Sequence, residues 1–183
     1  MVNLLSERLI IRDPVMDDLE EMHELMSNSK AMKYWECHKT NTIEETKEQL
    51  VKSIEESKSV DRSLYFFKIL KKDEMEYIGE IGYTVILKTP FGKIASLGYA
   101  IKEKFRNKGY TTEAVKRLME FAFEENNVYR FMIGCLKENI GSEKVIQKCG
   151  FIKEADFKEF VYHEGKLKDR VDYRLLKSEW KKY

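Results

Sequence analysis

Six consecutive residues, Arg106, Asn107, Lys108, Gly109, Tyr110 and Thr111, set two cations and one glycine directly ahead of a helical pattern. Upstream, residues 97–101 are apolar or small and suit a buried strand. Downstream, Ala114, Val115, Leu118, Met119, Ala122 and Phe123 recur with the helical period. A strand-to-helix joint leaves the first helical N–H groups without intrahelical partners, and Gly109 has no Cβ to keep a ligand off the backbone. The six residues form a candidate anion cradle to which Arg106 and Lys108 add charge. A basic loop opening an ordinary helix is the alternative. Two other phosphate motifs are absent: Lys108 precedes Gly109 where a Walker loop needs Gly-Lys followed by Ser or Thr, and there is no triple-glycine dinucleotide fingerprint.

A second group, Tyr34, Trp35 and Glu36, sets an aromatic pair beside a carboxylate between two helical patterns. Such a trio could wall a pocket for a cationic amine, with core packing as the alternative. His23 falls on the apolar stripe of a short helix and reads as a hydrogen-bonded structural residue. His163 reads as a turn residue. Cys37, Cys135 and Cys149 are odd in number, without Cys-x-x-Cys spacing or clustered histidines. That pattern argues against a disulfide framework and a zinc site, so no metal is expected and a reducing cytoplasm fits best.

The whole chain narrows the classes further. Its 183 residues suit one domain, 1–183, with a sizeable core, and 43% hydrophobic with 12% aromatic content supports a globule. Thirty-three basic against thirty-two acidic residues give a net charge of +1, so no global field draws in nucleic acid or an acidic membrane. The amino terminus has no charged-then-apolar signal segment, and no apolar run is long enough to span a bilayer. A monomer and a homodimer are both compatible with this composition.

The elements that must position these residues follow in order. Residues 8–12 read as a strand ended by Asp13-Pro14, then Leu19, Met22, His23 and Met26 line a short helix. Thr42 and Glu45 make a capping-box pattern for a helix to about Lys58, with Ile43, Leu50, Val51 and Ile54 available for packing. Residues 64–70 and 77–87 read as antiparallel neighbours, and 89–92 reverses the chain into the strand at 97–101. Residues 131–136 read as a strand and 140–149 as a short helix stopped by Gly150. Residues 151–162 and 167–176 form a hairpin, the second arm alternating Val171, Tyr173, Leu175 against Arg170, Asp172, Arg174. The expected class is α/β, more narrowly α+β: a mixed, mostly antiparallel central sheet with helices on its faces.

The joint at Arg106, Gly109 and Thr111 resembles the acetyl-CoA loop of the GNAT acetyltransferase superfamily, usually Gln or Arg, two residues, Gly, one residue, then Gly or Ala. Thr111 departs from the usual small residue. Asn139-x-x-Ser142, Val145 and Lys148-Cys-Gly-Phe151 resemble the next segment of that superfamily at the expected distance. Gly165, Asp169, Tyr173 and Glu179-Trp180, with residues 5–14, Tyr77-Ile-Gly79 and Gly98-Tyr99, resemble the Rim-type branch that acetylates ribosomal-protein amino termini. The resemblance spans nearly the whole chain.

It implies that strand 97–101 splays from the strand near 131–135, opening a cleft. Backbone groups of Tyr99, Ala100 and Ile101 would then pair with the pantetheine arm of acetyl-CoA like an added strand. The amides of residues 106–111 would hold the pyrophosphate, Asn139 the pantetheine from the other wall, and Ser142 would lie near the thioester sulfur. The resemblance further implies direct acetyl transfer to an amine, either a protein amino terminus or a small molecule. The usual proton-donating Tyr is Ile146 here, which makes Ser142 or a water the candidate donor. The usual Glu before the loop is Ala95 or Ser96, which leaves Glu80 or Glu36, acting through water, as candidate base. Because these groups are missing, a CoA-binding sensor without turnover is the competing function.

Overall fold

The computed structural model describes residues 1–35 and 38–182. Strands β1 (Asn3–Leu5), β2 (Leu9–Arg12), β3 (Leu64–Lys71), β4 (Glu76–Thr89), β5 (Gly92–Ile101), β6 (Val128–Leu136), β7 (Ile152–His163) and β8 (Lys166–Leu176) form one sheet. Its order is β1-β2-β3-β4-β5-β6-β8-β7, antiparallel throughout except for the β5–β6 pair. The helices are α1 (Leu19–Met26), α2 (Ile43–Lys58), α3 (Tyr110–Glu124) and α4 (Ile140–Lys148).

Two apolar clusters divide the helices between the faces of the sheet. The larger joins α3 and α4 to Leu9, Ile11, Phe67, Ile69, Ile81, Tyr83, Phe131 and Leu175. Within it Leu118, Met119, Ala122 and Phe123 are fully buried, as the helical period requires. The smaller sets Met22, Leu25 and Met26 of α1 and Leu50 of α2 against Leu70, Tyr77 and Ala100. Half of the capping pattern of α2 is present: Thr42 accepts from the Glu45 amide, while the Glu45 carboxylate accepts at 2.6 Å from the Asn41 amide, one residue before the N-cap. Val51 differs from its expected packing role and lies exposed.

The strand readings at 64–70 and 77–87 correspond to β3 and β4, and the final hairpin to β7 and β8. Three boundaries differ. β1 had no pattern of its own, since three residues gain a ladder only by pairing with β2. β5 begins at Gly92, paired with Thr89 of β4, and β6 at Val128, paired with Lys93 of β5, both earlier than their apolar runs. The parallel β5–β6 ladder then ends at Ser96 and Met132, while β6 goes on pairing with β8 to Leu136. Beyond Ser96, β5 has β4 on one side and an open edge on the other. This is the expected splay.

Candidate active site

Gly109 is the N-cap of α3 at φ +82°, and no side chain caps the helix. The first-turn amides of a 15-residue helix therefore face outward from a left-handed corner. Arg8, just before β2, braces that corner: its guanidinium donates to the Lys108 carbonyl at 3.1 Å, lies over the Tyr110 ring and pairs with Glu113 at 2.7 Å. A Cβ at residue 109 would sit 3.4 Å from Arg8 Nη2. Tyr110 is buried against Phe105. Asn107 shares the left-handed backbone region at φ +61°, and Lys108 and Asn107 are exposed, with Thr111 half-buried. Arg106 donates to the carbonyls of Lys30 and Ala31, so its guanidinium ties the loop to the segment after α1.

Along β5, Lys102 donates its amide to the Ile78 carbonyl at 2.9 Å. Because successive residues of a strand direct their N–H and C=O groups to opposite sides, Ile101 and Tyr99 turn theirs to the open edge and Ala100 to β4. Two of the three residues expected to offer backbone groups across the splay thus do so. These features fit a pantetheine chain carrying phosphates: an open strand edge leads to an uncapped helix N-terminus with glycine at the point of approach.

Side chains close the far wall of the splay. The Asn139 carboxamide oxygen caps α4 by accepting from the Ser142 amide at 3.2 Å. Ser142 Oγ lies 2.9 Å from the Tyr99 hydroxyl, which also donates to the Ser142 carbonyl at 3.3 Å. Sequence reasoning used only the backbone of Tyr99, whose side chain reaches 43 residues along the chain to the α4 N-terminus. Cys135, on β6, and Cys149 are buried, and burial pushes their thiols up to about 11 and about 12. Neither is a poised thiolate.

The opposite face of β5 carries different chemistry. Gly98 and Ala100 point there, and Trp35 occupies the room above Gly98, where an added Cβ would stand 2.9 Å from Cζ2 of the indole. Trp35 stacks with Phe66 at 6.0 Å and lies 4.3 Å from the His38 ring. Tyr34 is more exposed and stacks on His163, which is buried at the end of β7 and not simply a turn residue. Glu36 and Cys37 lie outside the described residues. His23 donates to or accepts from Thr46 at 2.8 Å, a structural tie between α1 and α2. Glu138, His163 and Glu164 bring ligand-type atoms within 4.8 Å of one another, a proximity that spacing along the chain does not display.

Glu80 stands opposite Ala100 in the β4–β5 register, so its side chain shares this face one strand from the open edge. It is 6% exposed and accepts from the Tyr77 hydroxyl at 2.9 Å. Burial raises its carboxyl to about 7, with the Tyr77 hydrogen bond and the Lys68 charge offsetting part of the rise. Lys68, also buried, is bound by Asp18 at 2.7 Å and by Glu21. A carboxyl titrating near neutrality beside the splayed strand has the protonation range of a general base.

A family model for the acetyltransferase (GNAT) domain matches residues 8–152. The uncharacterized N-acetyltransferase YnaD of Bacillus subtilis is 28% identical over 180 residues, covering 98% of this chain and 99% of its own. Among solved structures, the ribosomal-protein-S5-alanine acetyltransferase of Vibrio fischeri superposes with TM-score 0.85 at 24% identity, covering 99% of this chain and 100% of that one. The spermidine N-acetyltransferase of Vibrio cholerae, in complex with CoA and spermine, gives 0.82 at 21%, with 95% and 98% covered. Those two speak to the fold. No helix among the described residues is long and apolar enough to cross a membrane. With a splayed β5–β6 pair leading to an uncapped glycine-cornered helix, and a family model matched across most of its length, this chain belongs to the GNAT family and is an acetyl-CoA-dependent N-acetyltransferase.

Proposed function

We propose that the chain moves the acetyl group of acetyl-CoA to a primary amine by direct attack within a ternary complex. The observation that carries this is the end of the β5–β6 ladder at Ser96, which opens one strand edge to both faces of the sheet. The amides of Gly109, Tyr110 and Thr111 hold the pyrophosphate, and Tyr99 and Ile101 offer backbone groups to the pantetheine. Glu80 takes one proton from the acceptor ammonium and releases it to solvent. The neutral nitrogen forms its bond to the acetyl carbon as the carbon–sulfur bond breaks, and the Ile101 N–H faces the carbonyl oxygen as negative charge builds. Ser142, held by Tyr99, hands a proton to the departing sulfur and regains one from the nitrogen through water. The products are an amide and CoA thiol.

Glu80 supplies a candidate for the base whose absence from the usual position keeps a silent CoA binder in view. The raised thiols of Cys135 and Cys149 argue against an acetyl-cysteine route. Neighbours in fold are named as acetyltransferases of ribosomal-protein-S5 alanine and of spermidine, which supports an amine acceptor. Initial rates with both substrates varied test the mechanism: intersecting lines are expected. Parallel lines, together with acetyl label on Cys135 or Cys149 that an acceptor discharges at the turnover rate, would overturn it.

A further inference from the structure

Between α1, α2 and strands β3 and β4 lies a cavity of about 220 Å3. That is roughly seven water volumes at about 30 Å3 each, room for one ring or a short branched chain. Met22, Met26, Leu64 and Phe66 supply apolar wall, and His38 adds a ring face 5.5 Å from Phe66. Glu80 also lines it. Among the described residues no Lys, Arg or His nitrogen pairs with that carboxylate, which receives only the Tyr77 hydroxyl. The other charged groups in the wall are Lys68, already bound by Asp18 and Glu21, and Lys52, exposed on α2. Among the described residues the cavity therefore offers one carboxylate for one ammonium, apolar surface for what the nitrogen carries, and a lysine where a second cation would reach.

We infer that the acceptor is a small primary monoamine with a compact apolar body, an arylalkyl or branched alkyl amine, seated here with its nitrogen at Glu80. The inference rests on the acetyl-transfer reading above and names the substrate class for that site. The amine lies on the face of β4 and β5 that Glu80 and Ala100 share, so deprotonation occurs one strand from the open edge and the neutral nitrogen then moves to that edge to attack. A polyamine is disfavoured by geometry: with one nitrogen at Glu80, its remaining charge faces Lys52, and among the described residues no second unpaired carboxylate lines the cavity. A peptide amino terminus would have to leave its chain at the same lysine-bearing rim, with only its first side chain housed.

The test is steady-state acetylation of 2-phenylethylamine and 3-methylbutylamine against spermidine, 1,4-diaminobutane and peptides beginning with Ala or Ser. The apolar monoamines are expected to exceed the others by roughly tenfold or more in kcat/KM. Lys52→Glu, on the exposed side of α2, should raise kcat/KM for 1,4-diaminobutane relative to that for phenylethylamine by roughly three- to tenfold. Phe66→Ala should raise the KM for phenylethylamine by roughly fivefold or more with the KM for acetyl-CoA unchanged. Should Phe66→Ala fold poorly, the Lys52 comparison stands by itself. Spermidine or a peptide as the best acceptor, or no gain for the diamine in Lys52→Glu, would overturn the inference and leave acetyl transfer intact. No acetylated product from any amine, with acetyl-CoA bound, would overturn both.

Discussion

The two faces of the sheet are built on different terms. Among the described residues, thirty buried side chains form one apolar cluster on the α3/α4 side, where the groups proposed to face the ligand are main-chain amides at a helix N-terminus. On the α1/α2 side the cluster has eight described members, beside which Arg12, Asp18, Lys68, Tyr77 and Glu80 form a buried or half-buried polar array near a cavity. The first face positions a ligand through backbone that any helix provides. The second tunes side chains through one another, because in a low dielectric each buried charge sets the ionisation of the next. On the proposed reading, cofactor capture and acceptor chemistry use opposite faces of one sheet.

That separation can be broken most directly at Glu80. Glu80→Gln should lower kcat by about 10²- to 10⁴-fold while acetyl-CoA affinity, measured by calorimetry, stays within about twofold. In the wild type, kcat/KM for the amine should climb as pH rises through about 7, where the Glu80 carboxylate forms, and the variant should lose that inflection. Stability should run the other way. A carboxyl raised from 4.5 to about 7 favours the fold when protonated, so its contribution is full below 4.5 and is lost as pH climbs to 7. A loss of acetyl-CoA affinity in the variant would show that the faces are coupled.

Gly109→Val is the reciprocal probe. It puts a β-branched residue at φ +82°, at a strain of about 1–2 kcal/mol, and fills the corner next to the amides. Acetyl-CoA binding should weaken by roughly a hundredfold, a figure set by loss of the close backbone approach at a helix N-terminus. Its melting should stay cooperative. Undiminished affinity would remove residues 106–111 from the phosphate site.

Ser142 tests the seam between the faces. Ser142→Ala should slow turnover by roughly ten- to a few hundredfold with acetyl-CoA binding little changed, the lower end reflecting water taking over. Tyr99→Phe, which leaves Ser142 in place without its 2.9 Å partner, should give a smaller loss in the same direction. Equal turnover in Ser142→Ala and wild type would exclude Ser142 as proton donor.

The smallest effect is expected on stability alone. Burial pushes the Asp18 carboxyl up, but hydrogen bonds from Arg12, Lys68 and the Val15 amide outweigh it and bring the carboxyl to about 2. Its stabilisation is present above the ordinary value of 3.8 and disappears as pH falls through about 2, and Asp18→Asn should cost about 2 kcal/mol at neutral pH. Denaturant titration at pH 7 and pH 3 checks this. An unchanged midpoint at pH 7 would show that the polar array adds nothing to the α1/α2 face.

The legible half of the molecule is the half whose signals are local. Period and capping residues placed α2 and α3, because helix geometry relates residues three or four apart, and Gly109 with its basic neighbours marked the candidate cradle within six positions. The alternating arm of β8 and the final hairpin were legible for the same reason, a period of two between turn residues. The acceptor side was less legible. Sequence offered Glu80 and Glu36 as candidate bases acting through water, but nothing in residues 76–89 indicates burial beneath α1 or a register with Ala100. Trp35 and Gly98 are 63 positions apart and meet only because β5 runs beneath the segment after α1. The hydrogen bond from Tyr99 to Ser142 likewise exists only once β5 and β6 diverge. By itself the sequence determined which segments could be strand, helix and phosphate-binding corner, through short-range backbone preferences. Tertiary structure alone decided which carboxyl is desolvated enough to act near neutral pH, because that depends on what other parts of the chain exclude from around it.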